Sequence, residues 1–407
     1  MKLRRVALEN FRAWEHCAVQ LGARLTVCLG ENGSGKTALL DGIAIGLGEL
    51  LIHLPGVSGV SFRNRGDIHQ SANQVRRYTR ISLESTQGLQ WDRSRRRDKS
   101  RATAEAVPAG VGVKALRHYL DREVIEPWGE EQAFLLPVVA YYGVSRAVLD
   151  IPLRRRNFPR EYSRFDALAH ALDANTHFKS AFAWFYFKEN EEHVRQKAAR
   201  SFDVTLPELD AVRRAITNLF PDLRNPRIEL NPLRLAVDRA GETLDITQLS
   251  DGYRTLLGLV MDLASRLAMA NPHLDDPLAA EAVVMIDEVD LHLHPAWQRR
   301  VVEDLLRTFP NTQFILTTHS PFIVESVNNL LKRNQIDAFL ADDREIRDLL
   351  PLAREDVAAF LFEPAGPLPL MDEASGLLDD QLLQHFNAIS RVYDRMRDIE
   401  WTHRGSA

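Results

Sequence analysis

Eight residues near the N-terminus have the spacing of a phosphate-binding loop. The run GENGSGKT, from Gly30 to Thr37, matches the pattern G-x-x-x-x-G-K-[ST] at every fixed position. It follows an apolar, strand-like run and opens a helical pattern, so backbone N–H groups and the helix dipole both favour a bound phosphate. We predict that Lys36 contacts the phosphates and that the Thr37 hydroxyl coordinates Mg²⁺. The candidate nucleotide-binding residues of this loop are Gly30, Asn32, Gly33, Ser34, Gly35, Lys36, Thr37 and Ala38.

Two adjacent carboxylates follow a second apolar stretch much later in the chain. Residues 283–286 predict a buried strand, and Asp287 and Glu288 come directly after it. In phosphoryl-transfer sites one such acid holds the metal ion, while its neighbour stays basic and polarises the attacking water. We therefore predict that Asp287 is a metal ligand together with Thr37, and that Glu288 is the general base.

The residues after this pair include another acid and three histidines. Asp290 opens the run DLHLHP, in which His292 and His294 have a spacing seen in metal sites. Because no third ligand cluster lies nearby in the sequence, we interpret these two histidines as structural. His319 follows the next strand-like run, in TTHSP, where a side chain can reach a γ-phosphate. We predict a catalytic, phosphate-sensing role for His319.

Strands and helices must bring these separated residues together. Alternation at residues 79–83 predicts a half-exposed strand with residues 89–91 as its hairpin partner, whereas the polar stretch Asp92–Ala109 predicts a mobile loop. The strand and helix alternation predicts an α/β fold with a mixed, mostly parallel central sheet, an N-terminal antiparallel β portion and a helical insertion. The other predicted segments are two or three strands in residues 1–30, strands at 138–142, 283–286 and 313–318, helices at 36–50, 179–199, 252–270 and 295–308, and a C-terminal helix with Leu382, Phe386, Ile389, Tyr393 and Met396 on one face.

Composition narrows the class of protein. A formal net charge of −5 argues against a protein that coats nucleic acid through overall charge, although local basic patches remain. The two cysteines, Cys17 and Cys28, lack metal-ligand spacing, and we expect both to be reduced and buried. No apolar run is long enough to span a membrane. These features predict a cytoplasmic protein.

A further motif, QLSDGYR at Gln248–Arg254, precedes a helical pattern and completes a set with GENGSGKT, MIDEVD and TTHS. The set resembles the ABC-type P-loop ATPases, whose signature motif is typically LSGGQ. LENFRAWE, VMIDEVDLHLHP and FPNTQFILTTHSP resemble the branch of SMC, RecF and OLD-like proteins. Within that branch the chain is most similar to bacterial AAA-15 and AAA-21 ATPases of anti-phage systems such as Septu and some retrons.

The resemblance implies that copies of the chain bind ATP and Mg²⁺ between them, in a head-to-tail dimer or larger assembly. Ser250 and Gly252 of one copy would close on the γ-phosphate held at Lys36 of the other. Asp290 would correspond to the D-loop acid and His319 to the switch histidine. The resemblance therefore implies an ATPase whose active sites are shared.

Three further positions bear on how the chain would bind and hydrolyse the nucleotide. Arg12 lies in an N-F-R segment that in relatives is near the nucleotide, so the resemblance implies a phosphate contact. Asp251 replaces the second glycine of LSGGQ and adds a negative charge. Tyr142–Gly143 stands where relatives often have Gln-Gly. The last two departures predict slow hydrolysis.

The patterns divide the chain into four segments. We predict an N-terminal ATPase lobe with the P-loop, a helical insertion, a C-terminal ATPase lobe with the signature, acidic strand and switch histidine, and a C-terminal extension that includes a candidate partner-binding helix. The alternative for that helix is packing on its own domain. The predicted boundaries are 1–150, 151–235, 236–345 and 346–407.

The leading functional hypothesis is the ATPase subunit of a bacterial anti-phage complex that controls a separate nuclease or toxin. The alternative is a DNA-repair or DNA-clamping ATPase of RecF or SMC type, with nucleic acid bound by Arg93–Arg101 and Arg154–Arg156. A solvated loop is the other interpretation of those arginines. The ATPase subunit of a membrane transporter is disfavoured by the missing glutamine and by DLHLHP.

Overall fold

The computed structural model describes residues 1–63, 66–71, 74–146, 161–174, 178–337 and 343–378. Its strands are β1 (Leu3–Phe11), β2 (Trp14–Gln20), β3 (Leu25–Gly30), β4 (Gln70–Ser71), β5 (Gln74–Val75), β6 (Tyr78–Ser85), β7 (Gln90–Arg96), β8 (Val138–Tyr142), β9 (Arg224–Leu230), β10 (Leu233–Arg239), β11 (Glu242–Asp245), β12 (Ala282–Ile286), β13 (Thr312–Thr318), β14 (Val357–Glu363) and β15 (Gly366–Pro369). Its α-helices are α1 (Lys36–His53), α2 (Arg101–Ala106), α3 (Lys114–Leu120), α4 (Glu126–Gly129), α5 (Lys179–Ala199), α6 (Pro207–Leu219), α7 (Asp251–Ala270), α8 (Pro295–Gln298), α9 (Val301–Thr308), α10 (Pro321–Gln335) and α11 (Arg344–Asp348).

A six-stranded sheet carries the P-loop and the acidic pair. Its strand order is β15-β14-β3-β13-β12-β8, and every pairing is parallel except that between β14 and β15. β3, β8, β12 and β13 are buried along their whole length, as expected for strands covered on both faces. The carboxyl ends of these parallel strands meet at one edge, where ligands bind in open α/β sheets. The predicted α/β fold with a mixed, mostly parallel sheet is confirmed.

The N-terminal antiparallel portion is a second sheet with the order β2-β1-β6-β7. Helix α1 lies against it, and two of the helix's glycines permit a very close approach. A Cβ on Gly42 would lie 2.6 Å from Leu8 Cδ2, and one on Gly46 would lie 2.5 Å from Leu83 Cδ1. Trp91 of β7 donates a hydrogen bond to the Gly46 carbonyl at 3.0 Å. The sheet thus holds α1, and with it the P-loop, from one side.

The stretch Asp92–Ala109 is not the mobile loop that its polar composition suggests. It contains most of β7 and all of α2. Arg93 donates to the carbonyls of Ile45 and Val60, and Arg95 donates to the Phe62 carbonyl at 2.8 Å. The guanidinium groups donate to backbone carbonyls in the middle of α1 and in the segment after it, so the strand tolerates a high density of arginine.

Two other predicted segments differ from the structure. The helix predicted for residues 295–308 is interrupted at Arg299 and Arg300, which separate α8 from α9. The Pro-rich stretch after residue 362 forms the turn and the edge strand of the β14–β15 hairpin, which the sequence did not indicate. Proline is tolerated there because an edge strand need not donate every N–H. The face predicted from Leu382 to Met396 lies outside the described residues, as do Arg154–Arg156.

Residues 178–245 form the part of the chain that packs beside α7. Helix α5 has the predicted bounds, and α6 follows it before the small antiparallel sheet β11-β10-β9. Buried Glu192 accepts hydrogen bonds from Arg213 Nη1 at 2.8 Å and from the Leu206 backbone at 3.0 Å. The segment predicted as a helical insertion therefore also contains β9, and the boundary predicted at residue 235 falls within β10.

Both cysteines are buried free thiols, as predicted. Burial raises the pKa of the Cys17 thiol to about 12, so it stays protonated near neutral pH. Across the described ranges, none of the helices has the length and apolar character needed to cross a membrane.

Candidate functional site

The P-loop is held between two aromatic side chains. Gly35 caps α1 in a left-handed conformation with φ of 101°, and a Cβ there would lie 2.3 Å from the Trp14 ring. A Cβ on Gly30 would lie 2.5 Å from the Phe362 carbonyl oxygen. The Trp14 and Phe362 rings themselves meet edge-on with centroids 6.0 Å apart. These contacts require glycine at both positions.

Lys36 is folded back onto the loop that it belongs to. Its Nζ donates to the carbonyls of Gly30 at 2.7 Å and Glu31 at 2.8 Å. Burial lowers the pKa of Lys36, whereas the nearby carboxylates of Asp287 and Glu288 oppose that shift. The Lys36 ammonium, which here donates to neutral carbonyls, can exchange them for phosphate oxygens. Phosphate oxygens form stronger, charge-assisted hydrogen bonds.

Asp287 connects the P-loop to the neighbouring strands. It is 1% exposed, and the Thr37 hydroxyl donates to its Oδ2 at 2.8 Å. The Thr317 hydroxyl donates to its other oxygen, Oδ1. The structure thus brings together the two residues predicted to ligate Mg²⁺, a hydroxyl and a carboxylate, which are the oxygen ligands that this ion prefers.

Glu288 begins the turn after β12 with an unusual backbone conformation. Its φ is +48°, in the left-handed region that glutamate rarely adopts. Its N–H donates to Thr317 Oγ1 at 2.7 Å, and the Val289 N–H donates to the Thr317 carbonyl at 3.0 Å. No hydrogen bond or ion pair from the described residues reaches the Glu288 carboxylate, so its lone pairs are available to a water molecule.

A cavity of about 850 Å³ opens over the P-loop. Its walls include the loop residues from Gly30 to Ser34, His319, Trp14 and Phe362. Three buried polar atoms in this wall lack a hydrogen-bond partner among the described residues: Ser34 Oγ, His319 Nε2 and Trp14 Nε1. Unsatisfied buried groups that face one cavity are expected where a polar ligand supplies the missing partners. The cavity therefore fits a nucleotide phosphate, and Mg²⁺ would lie beside Thr37 and Asp287, which contact each other next to the loop but do not line the cavity.

The sequence did not indicate Trp14 or the β14–β15 turn as part of this cavity. The turn contributes Leu361, Phe362, Glu363 and Pro364 to the wall. Their only sequence signal was an apolar run before a Pro-Gly turn, which carries no functional information by itself.

Arg12 does not line the P-loop cavity. Its Nε donates to Asp67 Oδ1 at 2.8 Å, and its Nη1 donates to Asp41 on α1. Burial lowers the pKa of Arg12, but the two carboxylates outweigh that effect and raise it. Arg12 thus joins the N-terminal sheet to α1 in this structure, and the phosphate contact implied by the resemblance stays a prediction.

The signature residues lie on a different surface. Ser250 is the exposed N-cap of α7, and its side chain makes no capping hydrogen bond. A Cβ on Gly252 would lie 2.4 Å from the His292 carbonyl oxygen, so the helix start packs directly on the DLHLHP turn. Ser250, Gly252 and His292 share a second cavity of about 240 Å³ with Tyr253 and Trp297, whose rings meet edge-to-face. Neither cavity shares a lining residue with the other.

The acid at position 251 has a partner that the sequence did not reveal. Arg254, one turn further along α7, donates to Asp251 Oδ1 at 3.2 Å. The Asp251 side chain is 69% exposed, so this contact offsets its charge without holding it in a pocket. The added negative charge at the signature is therefore partly neutralised within the same chain.

The remaining predicted residues have structural contacts. Thr318 donates its hydroxyl to Asp290 Oδ1, which joins the end of β13 to the turn after Glu288. His294 Nδ1 accepts from the Ala296 N–H at 3.2 Å and caps α8. This cap supports the structural interpretation of the histidine pair.

Tyr142, at the position where relatives often have glutamine, connects the acidic strand to α7. Its carbonyl accepts from the Asp287 N–H at 2.8 Å, and its hydroxyl donates to Asp262 Oδ2 at 2.8 Å. Arg266 donates to the same Asp262 oxygen at 2.7 Å. Burial first, and then Asp262, raise the pKa of Tyr142 well above its ordinary value, so it remains a hydrogen-bond donor.

We expect Tyr142→Phe to lower the free energy of unfolding by about 1–3 kcal/mol, because the buried Asp262 loses one of its donors. Urea denaturation measures this change. Tyr78→Phe is the matched control, since its hydroxyl bonds Glu9 at a distance of 3.2 Å in a more open position. Equal effects of the two substitutions would contradict the importance of the buried network.

The P-loop, the adjoining acidic pair and the sheet order define a P-loop ATPase of the ABC type. The chain belongs to the family described as "AAA domain, putative AbiEii toxin, Type IV TA system", whose profile matches residues 121–325, just over half of the chain. That segment contains the signature, the acidic pair and His319, while the P-loop precedes it.

Comparisons with individual proteins agree with this assignment. The chain is 26% identical to "Retron Vc95 probable ATPase" of Vibrio cholerae serotype O1 biovar El Tor, over 99% of this chain and 87% of the relative. It is 35% identical to "Septu protein PtuA" of Bacillus mycoides strain KBAB4, over 23% of this chain and 14% of that protein. A solved SMC head bound to the C-terminal winged-helix domain of ScpA aligns with 92% of this chain and 99% of that one, at 14% identity and a TM-score of 0.46. The family match and the two sequence relatives confirm the recognition made from the motifs.

Proposed function

We propose that the protein is a slow, ATP-hydrolysing clamp that works in the cytoplasm as a dimer or larger homo-oligomer, with each active site built from two copies. The observation that carries the proposal is the separation of the P-loop cavity from the signature cavity within one copy. The exposed N-terminus of α7 carries Ser250 and favours an anion, but the chain's own P-loop does not occupy it. A second copy supplies the missing half of each site.

The residues of one site then have distinct tasks. Lys36 and the loop N–H groups bind the phosphates, while Thr37 and Asp287 would hold Mg²⁺, which would supply positive charge against the developing negative charge. Glu288 takes a proton from the attacking water, and His319, which lines the P-loop cavity, contacts the γ-phosphate. Loss of the γ-phosphate removes contacts that join the two copies, so hydrolysis opens the clamp.

We further propose that the clamp controls a separate nuclease or toxin in a bacterial anti-phage complex. The support is the near full-length similarity to a protein named as a retron ATPase and the local similarity to a Septu protein. The DNA-clamping alternative loses part of its basis, because Arg93 and Arg95 donate to backbone carbonyls. Arg96, Lys99 and Arg101 stay exposed for a nucleic-acid contact.

A mixing experiment tests whether the sites are shared. Lys36→Ala removes the P-loop charge but leaves the signature, whereas Ser250→Arg blocks the signature but leaves the P-loop. We expect each variant alone to be inactive and an equimolar mixture to recover about a quarter of wild-type ATPase activity, since half of the dimers are mixed and each has one complete site. Ser250→Arg affects an exposed residue without a capping hydrogen bond and is compatible with folding.

Steady-state phosphate release, after the two variants are mixed without nucleotide so that they can exchange, provides the measurement. The same mixture of Lys36→Ala with Glu288→Gln is the control, because both changes fall in the P-loop half and no mixed site is complete. If ATPase activity recovers in neither mixture, the result contradicts a site that is shared between two copies.

A further inference from the structure

A buried arginine closes the turn that carries the acidic pair. Arg146 lies four residues after the end of β8, the strand next to β12. Its Nη1 donates to the Asp287 carbonyl at 2.6 Å, and its Nη2 donates to the Glu288 carbonyl at 2.9 Å. Nη1 also contacts the Gly143 carbonyl at 3.2 Å, which fixes the guanidinium to its own loop. One side chain thus binds the main chain of both acids.

The charge of Arg146 is placed among carboxylates. The residue is 8% exposed, and burial lowers its pKa while Asp287, Glu288 and Asp290 oppose that shift. The same three acids act on Lys36 from the P-loop side. When Lys36 binds phosphate, Arg146 is the cation that still compensates these acids, because it is held by carbonyls and not by the ligand.

The backbone at Glu288 needs such support. A glutamate at φ of +48° is in a sparsely populated conformation, which costs on the order of 1 kcal/mol or more and persists only where the surroundings impose it. Thr317, on β13, holds this backbone conformation by accepting a hydrogen bond from the Glu288 N–H. Arg146, which follows β8, holds the same conformation by donating a hydrogen bond to the Glu288 carbonyl. Neither Thr317 nor Arg146 hydrogen-bonds the Glu288 carboxylate, so the direction of this side chain depends on the backbone that they hold.

We propose that Arg146 is a positioning residue for the general base: it holds the left-handed turn at Glu288 and thereby aims the carboxylate at the water. This inference rests on the proposed ATP hydrolysis and adds a residue that no motif indicated. Arginine is required because its planar group presents several donors in fixed directions, whereas lysine presents a single flexible ammonium.

A double-mutant cycle with Glu288 tests this role. We expect Arg146→Gln to lower kcat about 100-fold, as a misaimed catalytic group does. Arg146→Lys keeps the charge and is expected to lose about 10-fold, because it keeps electrostatic compensation but not the two directed hydrogen bonds. KM and the dissociation constant of ATP measured without turnover should stay within about 3-fold of wild type, since the P-loop is unchanged. In the Glu288→Gln background neither substitution should lower kcat further.

The control is Arg164, a half-buried arginine whose Nε donates to the Ala270 carbonyl at 2.7 Å and whose Nη2 donates to the Phe134 carbonyl at 2.8 Å. Burial lowers its pKa as well, but no carboxylate acts on it. Arg164→Lys should change kcat by less than about 2-fold. Thermal unfolding of all variants shows which are folded, and Arg146→Lys decides the question if Arg146→Gln does not fold.

Additive losses in the double variant, or an equal loss of ATP affinity and kcat, would overturn the inference while leaving the proposed ATPase intact. A wild-type protein that binds but never hydrolyses ATP would instead overturn the proposed function, and the positioning role with it. Non-additive loss confined to kcat supports both.

Discussion

Glu288→Gln is expected to lower steady-state ATP hydrolysis by at least about 100-fold, the usual contribution of a positioned general base. The amide keeps the size of the side chain and the left-handed turn, but it cannot accept the proton of the attacking water. Because Asp287 keeps its contacts with Thr37 and Thr317, nucleotide and metal binding should survive. ATP then stays at the interface, and the dimer should persist for much longer than that of the wild type.

Two measurements check this prediction together. Phosphate release gives the rate, and analytical ultracentrifugation with ATP and Mg²⁺ gives the dimer fraction. Glu355→Gln is the control, since it makes the same chemical change on an exposed residue outside both cavities. Hydrolysis at the wild-type rate in Glu288→Gln would show that another group is the base. Loss of activity without dimer accumulation would show that the substitution disturbs binding.

Lys36→Ala is expected to weaken ATP binding by about 100-fold or more, because removal of one charged partner from a phosphate contact costs about 2–5 kcal/mol. The folded protein should be little affected. Within the part of the chain that the structure describes, the ammonium donates to the Gly30 and Glu31 carbonyls alone, and burial already lowers its pKa. The substitution therefore removes a positive charge that burial disfavours, together with two hydrogen bonds.

Equilibrium binding of a fluorescent ATP analogue gives the affinity, and thermal unfolding without nucleotide gives the stability. Lys2→Ala is the matched control, because burial also lowers the pKa of Lys2 but its surroundings are Glu281, Arg24 and Asp356 instead of the P-loop. Wild-type affinity in Lys36→Ala would contradict the assignment of the loop. Full loss of the unfolding transition would show a structural role instead.

The parts of the site that rest on short motifs were predictable from the sequence. GENGSGKT is recognisable from its own letters, although the contacts that require glycine at Gly35 and Gly30 come from Trp14 and Phe362 elsewhere in the chain. The Asp287–Thr37 contact follows because parallel strands bring their carboxyl ends to one edge. Helix α5 has its predicted bounds, since its pattern is long.

The missed parts depend on contacts between distant segments. Arg93 and Arg95 in a row of charges suggest a solvated loop, but their partners are carbonyls more than thirty residues earlier. Arg12 fits a family position and yet binds Asp41 and Asp67, neither of which a motif marks. Arg146 carries no pattern at all, because its acceptors are main-chain atoms that any residue would offer.

The wall contributed by Phe362 has a consequence for how the protein is made on the ribosome. Gly30 and Phe362 lie side by side, but more than three hundred residues separate them in the order of synthesis. At translation speeds of about 10 residues per second, the P-loop leaves the ribosome roughly half a minute before its aromatic neighbour exists. A growing chain therefore holds an open, incomplete pocket, and it acquires the enclosure that lets it compete for cellular ATP only after Phe362 has been added and has folded against Gly30.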